Sequence, residues 1–233
     1  LQATRGANFG YSQRFAKVGI SLAGSYISDD GYRFYNEENR FMLYGKSSIA
    51  ITELSSLSLS GLAAVSNRDD WVYWNSLDSA TRPPTNTDLD NKITASKYSI
   101  NAEYKQIISA NDFMIIKTNL FATQFENKLK GDEYRQSDAK TYNTEVQYNT
   151  KLHQYFNLTA GANYAYNQVE ARTYGKREQN TLSLYSQIES PLGDLIFTYG
   201  GRFDLEQTKS IQKSLAGGRL EFSQNSEWLI GLN

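Results

Sequence analysis

The 233-residue chain has no cysteine, which removes disulfides, thiolate metal sites and cysteine nucleophiles together. Histidine occurs once, at His153, and a lone imidazole makes no zinc site. There are only 3 prolines and 2 methionines, set against 17 tyrosines, a balance foreign to soluble enzymes and common in β-proteins. Long apolar runs are absent too. Stretches such as Met114-Ile115-Ile116 are far too short for a transmembrane helix. Neither sign of charge prevails: 24 basic and 25 acidic residues leave a net charge of −1, so no basic field exists for nucleic acid or anionic lipid. Mean hydropathy is −0.58, the value of a water-soluble protein. One membrane route survives all of these exclusions. A barrel strand needs only about 9–11 residues with every second one apolar, and such a segment averages to mild hydrophilicity.

That alternation is what the chain contains. Ala3, Ala7, Phe9, Tyr11 and Phe15 fall on one face of the first segment, with Thr4, Asn8, Ser12 and Arg14 on the other. Val18–Tyr26, Phe41–Ile51, Leu57–Val65, Tyr98–Tyr104 and Tyr142–Tyr148 repeat it. In Phe156–Tyr166, Phe156, Leu158, Ala160, Ala162, Tyr164 and Tyr166 are in phase, and Leu195–Leu205 behaves in the same way. A period of two fits these segments better than helical spacing does. Phe113–Phe125 is apolar on both faces for its first four residues, and Thr181–Ser190 is weakly patterned. Both are assigned as strands because their neighbours need partners, which gives about twelve strands.

The connections carry the most specific signal. Short turns are expected at Ala16-Lys17, Thr52–Ser56, Ile107–Asp112, Lys151–Tyr155, Ser190–Asp194 and Ser223–Glu227. Longer polar segments are expected at Asp29–Arg40, Ser66–Lys92, Glu126–Lys140, Asn167–Asn180 and Glu206–Ser214. Short and long alternate throughout. A soluble sandwich has no reason to keep that order, whereas an outer-membrane barrel has short periplasmic turns and long extracellular loops. The expected fold is therefore all-β: a transmembrane antiparallel up-and-down barrel. Its lipid face carries the apolar residues, with Tyr26, Tyr98, Tyr104, Tyr148, Tyr164, Tyr166 and Tyr199 near strand ends as an aromatic girdle requires. Arg14, Lys46, Lys97, Glu103, Glu145, Arg202, Arg219 and Glu221 mark the opposite, wet face. Periodicity alone does not say which face points outward, so a soluble barrel stays open at this stage.

Two stretches resemble a known family. The first runs from Gly24-Ser25-Tyr26 through Ser28-Asp29-Asp30-Gly31-Tyr32-Arg33 to Arg40-Phe41-Met42-Leu43-Tyr44-Gly45-Lys46. The second runs from Leu182-Ser183-Leu184-Tyr185-Ser186-Gln187 to Tyr199-Gly200-Gly201-Arg202-Phe203-Asp204. In order and spacing they are similar to the barrel of TonB-dependent outer-membrane receptors, whose fold has about 22 strands around a plug. The resemblance implies that residues 1–233 form a single segment of a larger barrel. The plug domain, the energy-coupling box and the remaining strands would lie outside it. It implies uptake of a scarce, large ligand (siderophore-bound iron, cobalamin or a glycan) in the outer membrane of a Gram-negative bacterium. The implied partners are outer-membrane lipid, the periplasmic TonB energy-coupling protein acting through the plug, and a surface-exposed accessory lipoprotein. No nucleic acid, cofactor or metal is expected.

Three sets of residues are singled out. Trp71, Tyr73 and Trp74, in the longest loop, are suited to stacking on a ligand; the competing reading is packing between loops. Glu103, Glu145, Arg202 and Arg219 are expected to face the lumen and the plug, or to neutralise one another there. Asp29-Asp30, Asp69-Asp70 and Asp88-Leu89-Asp90 lack calcium-loop spacing and read as loop solvation. His153 reads as a surface residue in a turn. No Ser/His/Asp or acidic set converges near one rim, so no catalytic residue is assigned. The rival readings are a complete 12-stranded passive channel and an envelope assembly barrel.

Overall fold

The computed structural model describes residues 3–69, 75–86, 89, 91–128, 134–153, 155–171, 175–193, 195–216 and 219–232, without the side chains of 134–135, 192, 211–228 and 230–232. Eleven strands follow one another: β1 (Thr4–Phe15), β2 (Val18–Asp29), β3 (Glu38–Ala50), β4 (Ser55–Asp69), β5 (Lys92–Ile107), β6 (Asp112–Lys128), β7 (Tyr134–His153), β8 (Phe156–Ala171), β9 (Gly175–Leu192), β10 (Leu195–Ala216) and β11 (Arg219–Leu232). They form one antiparallel sheet in sequence order. Each strand packs only on its neighbours in sequence, so the sheet is a single layer.

The register turns the alternation of each strand into two continuous faces. One row joins Tyr11, Leu22, Gly45, Gly61, Ile100, Leu120, Tyr142 and Tyr166 across β1 to β8. Farther along, Ala162, Leu184 and Phe203 are opposite one another on the same face. The other face carries Arg14, Gly19, Ser48, Ser58, Glu103, Lys117, Glu145, Asn163, Ser183 and Asp204 in one row. A one-residue slip in any strand would exchange its two sets, so the pattern specifies the pairing.

The apolar face has no protein cover. Ile100 and Tyr199 are each 62% exposed and Leu184 is 53% exposed. Ile93 is the one buried hydrophobic residue among those described. Water-soluble domains bury apolar faces between two layers, and the described residues form no second layer. The leucines and tyrosines point outward into whatever surrounds the sheet.

Girdle tyrosines lie on this face, and their hydroxyls point away from its middle. At the end with the short turns, Tyr104 donates to Gln106 Oε1 at 2.6 Å, and Tyr11 donates to Gln13. At the loop end, Tyr26 donates to Asn39 Oδ1 (3.1 Å), Tyr164 to Asn180 Oδ1 (2.9 Å) and Tyr166 to Gln168 Oε1 (3.1 Å). Apolar rings lie inside two lines of amides, which is the arrangement a bilayer interface selects. The few prolines also fall where a sheet tolerates them: Pro83 and Pro84 in a loop, and Pro191 one residue before the end of β9.

The described residues form eleven strands, where about twelve were expected, and Ser223–Glu227 is not the turn expected there. Ser223–Glu227 runs inside β11, with Glu227 opposite Thr208 and Ser223 opposite Gln212. The loop expected at Glu206–Ser214 is correspondingly strand, and the chain reverses between Ala216 and Arg219. The polar segments Glu126–Lys140 and Asn167–Asn180 are also mostly paired, up to Lys128↔Tyr134 and Ala171↔Gly175. Beyond the apolar band both faces meet water, so alternation stops while backbone pairing continues. Inequality between the two ends persists, as tall hairpins at β6–β7, β8–β9 and β10–β11 and as longer connections after β2 and β4.

Candidate functional site

The polar face is where charged and hydrogen-bonding groups converge. Near its middle, Ser60, Asn101, Asn119 and Asn143 are opposite one another on β4 to β7. Asn101 donates to Ser60 Oγ at 3.3 Å, Asn119 donates to Asn101, and Asn143 exchanges hydrogen bonds with Asn163 at 3.4 and 3.0 Å. One row toward the turn end, Lys117 Nζ is 4.0 Å from Glu145 Oε2. Glu103 is opposite Lys117 on the adjacent strand. Tyr185 Oη reaches Glu145 from two strands away and donates to Oε1 at 2.5 Å.

Gly161, on the intervening strand, makes that reach feasible. A Cβ there would be 2.5 Å from Tyr185 Oη and 2.7 Å from the Val146 carbonyl, so only glycine lets the ring lie flat across β8. On β10, Arg202 Nε donates to Asp204 Oδ1 and its Nη2 donates to Ser183 Oγ, both at 2.8 Å. Ser183 is fully buried beneath it. This accounts for the spacing of the second sequence stretch. Ser183 and Tyr185 are opposite Asp204 and Arg202, while Leu184 and Phe203 pair on the apolar face between them. The resulting wall is close to neutral, studded with paired ions and amides. It offers hydrogen bonds in both senses, and the described residues contain no cluster suited to a metal ion.

A concavity of about 460 Å³ opens on the same face at the turn end, beside the 108–111 turn. Lys105, Ile107, Phe113, Asn149, Lys151 and Glu189 line it. Lys105 Nζ is 4.8 Å above the Phe113 ring. In the adjoining turn, outside the apolar part of β6, Ser109 Oγ donates to Asp112 Oδ2 at 2.5 Å, and that bond holds the Asp112 carboxyl below the ordinary carboxylate range.

The opposite end has loops that engage one another. Phe34 N donates to the Thr81 carbonyl (3.0 Å) and Asn75 N to the Arg82 carbonyl (3.2 Å), while the Arg82 guanidinium is 5.0 Å over the Phe34 ring. Gly31, at φ +70, sits so close to the Asn36 carbonyl that a Cβ would be 2.2 Å from it. The tightly folded 30–37 connection displays Tyr32, Phe34 and Tyr35 to solvent.

Of the residues singled out from sequence, Glu103, Glu145 and Arg202 stand on the polar face. Arg219 is the first residue of β11, opposite Ala216, and its side chain lies outside the described residues, as do Trp71, Tyr73 and Trp74. Asp29 accepts from Gly31 N (2.7 Å) and Thr4 Oγ1 (3.1 Å), closing a turn. Exposed His153 ends β7 with its ring 5.4 Å from Tyr155. Lys117, Tyr185 and the asparagine row escape the sequence reading because they are defined by cross-strand register. Tyr32, Phe34 and Tyr35 carry a legible signal, three aromatics in four loop residues.

No family model matches the sequence, and no curated protein matches it. Solved structures do. The closed form of the ferric-catecholate import receptor Fiu from E. coli K12 superposes with a TM-score of 0.81 at 9% identity, covering 100% of this chain and 46% of that one. The ferric citrate transporter FecA gives 0.72 at 13% identity, with 99% and 39% covered. BauA, the ferric preacinetobactin receptor from Acinetobacter baumannii, gives 0.70 at 9%, with 100% and 43% covered. The chain thus spans about half or less of the structures it matches. Over its whole length it has the fold of part of a TonB-dependent outer-membrane receptor barrel.

Proposed function

We propose that this chain is wall and rim of an outer-membrane receptor that imports a scarce ligand, too large for a porin, in a TonB-dependent manner. The observation that carries the reading is the pair of faces: an uncovered apolar one, and an opposite one where the amides and ions gather. A single-layer sheet of this kind is stable only where lipid covers one side and the sheet closes. Its structural neighbours are transport receptors rather than enzymes, and their names speak of ferric-catecholate, ferric citrate and ferric preacinetobactin. Ferric complexes therefore head the ligand classes, with cobalamin and glycans behind them. The TonB protein would act from the turn end through a plug segment outside residues 1–233. Glu103, Glu145, Arg202 and Arg219 would face that plug.

Recognition belongs at the loop end. The aromatic cluster Trp71, Tyr73 and Trp74 would stack on the ligand, assisted by the rings of Tyr32, Phe34 and Tyr35 and by the accessory lipoprotein where one is present. The test is uptake of labelled ferric-catecholate, ferric citrate and cobalamin by cells with and without the full-length gene. Uptake of one of them should require both the gene and TonB. Equal permeation of small solutes without TonB would replace this reading with a passive channel. Alanine at Trp71, Tyr73 and Trp74 together should weaken ligand binding at least tenfold while the barrel still assembles; unchanged affinity would reject the loop assignment.

A further inference from the structure

Charge is not spread evenly along the strands of the polar face. From the row of Glu103, Lys117 and Glu145 to the turn end, carboxylates and cations are mixed. Loopward of the asparagine row the carboxylates stop. From β2 to β9, the rows of this face that pass through Ser99, Lys97 and Ala95 contain none, and their charged members are Arg40, Lys97 and Arg177. Lys97 and Arg177 are exposed, and among the described residues neither is at ion-pairing distance from a carboxylate. The acidic residues that alternate with these rows are on the opposite face and are engaged there. Glu126 accepts from Gln124 at 2.8 Å, Asp138 from Gln136 at 3.0 Å, and Glu178 is paired with Lys176 at 2.5 Å. At the loop rim, Glu38 is paired with Arg40 at 3.1 Å, and Asp29 accepts from Gly31 N and Thr4 Oγ1.

The same rows hold apolar surface around Lys97. Thr123 is opposite Lys97, which puts Phe121 and Phe125 diagonally to either side of it, within reach of a long side chain. Leu62 and Met42 extend the patch onto β4 and β3, and Met42 and Phe125 are exposed. Apolar residues occur elsewhere on this face, but at the turn end Phe113 and Ile107 share their concavity with Asp112 and Glu189 as well as with two lysines. In the loopward rows, rings and positive charge occur without an acid. An anion that bears flat rings suits both features. Its charge answers Lys97 in a partly desolvated place, where a charge pair counts for more than on an open surface. Its rings lie against the phenylalanines. An anion without rings gains the first interaction alone, and an uncharged ligand gains at most the second.

We propose that Lys97, Phe121 and Phe125 form a selectivity zone on the loopward half of the inner wall, favouring an anionic chelate with aromatic rings, of the catecholate type, over ringless anions and uncharged ligands. This rests on the receptor reading above and narrows its ligand class. The experiment measures binding of labelled ferric-catecholate, ferric citrate and cyanocobalamin to the purified full-length protein. Ferric-catecholate should bind at least tenfold more tightly than ferric citrate, the ringless anion, and than cyanocobalamin, which is uncharged overall. Lys97→Glu should weaken ferric-catecholate at least tenfold, while Lys97→Arg retains it. Phe121→Leu combined with Phe125→Leu keeps the bulk without the rings, and should remove most of the preference for catecholate over citrate. Equal binding of the three complexes, no binding of ferric-catecholate, or an unchanged affinity in Lys97→Glu would overturn the proposal.

Thr123→Cys asks whether the zone is open to a ligand. In outer membranes a sulfonated thiol reagent should label that cysteine, and ferric-catecholate should protect it. No labelling without ligand would mean that other polypeptide covers the wall there, and would overturn the proposal. Heat-modifiable gel migration reports assembly of each variant; if the leucine pair fails that check, Phe125→Leu alone takes its place. TonB-dependent uptake in cells judges the receptor reading separately. Uptake of ferric citrate or cobalamin in place of ferric-catecholate would leave that reading standing and overturn this one.

Discussion

At the scale of single residues, what matters is which side of the sheet a side chain occupies. Leu184 points to the uncovered face beside Leu182, and under lipid a charge there would have no water to meet. Leu184→Arg should cost about 2–4 kcal/mol, whereas Asn119→Arg on the wall opposite should assemble normally. Urea unfolding of the protein refolded in lipid vesicles measures the difference. Gly161 gives a sharper case because its reason is steric. Adding one carbon puts Cβ within 3 Å of both the Tyr185 hydroxyl and the Val146 carbonyl. Gly161→Ala should destabilise by about 1–3 kcal/mol. Tyr185→Ala should relieve only part of that, since the carbonyl is backbone and stays. Full relief in the double variant would place the clash in the tyrosine alone.

At the scale of elements, alternation and pairing separate. Strands assigned from alternation, such as Phe156–Tyr166 and Leu195–Leu205, are present, yet each is only the first part of a longer strand, Phe156–Ala171 and Leu195–Ala216. Alternation reports where one face meets apolar surroundings and the other water. It says nothing about backbone that stays paired with water on both sides, which is why a twelfth strand was expected from the polar run Ser223–Glu227. The consequence is testable by insertion. A ten-residue epitope between Asn225 and Ser226 falls inside β11 and should abolish surface expression. The same epitope between Pro84 and Thr85, in the β4–β5 connection, should be displayed with the barrel intact. Display of both would return Ser223–Glu227 to a turn.

At the scale of the molecule, a 233-residue sheet with one buried hydrophobic residue among those described has no core of its own. Hydrogen bonds between neighbouring strands hold it together, and on the receptor reading proposed above lipid would cover the leucine side. Cysteine scanning suits this chain because it has no native thiol. In intact outer membranes, single cysteines at Asn101, Asn119 and Asn143 should react with a membrane-impermeant maleimide that passes the barrel mouth. Cysteines at Ile100, Leu120 and Tyr142, one residue away, should react only with a lipid-soluble one. Reactivity that failed to alternate would contradict the two-face architecture.

What the residues determined unaided was local: a period of two, the side of each strand that is apolar, the inequality of the two ends and the likeness to a receptor barrel. Side-chain chemistry repeats along the chain, so a single strand reveals those features. Which residues meet across strands was decided by the tertiary structure. Lys117 meets Glu145, Tyr185 crosses Gly161 to the same carboxylate, and Phe113 joins Lys105 at the turn end, through pairings far apart in the sequence. The outward direction of the apolar face was also decided there, because alternation is symmetric between inside and outside. Only the absence of a second layer among the described residues leaves the leucines uncovered.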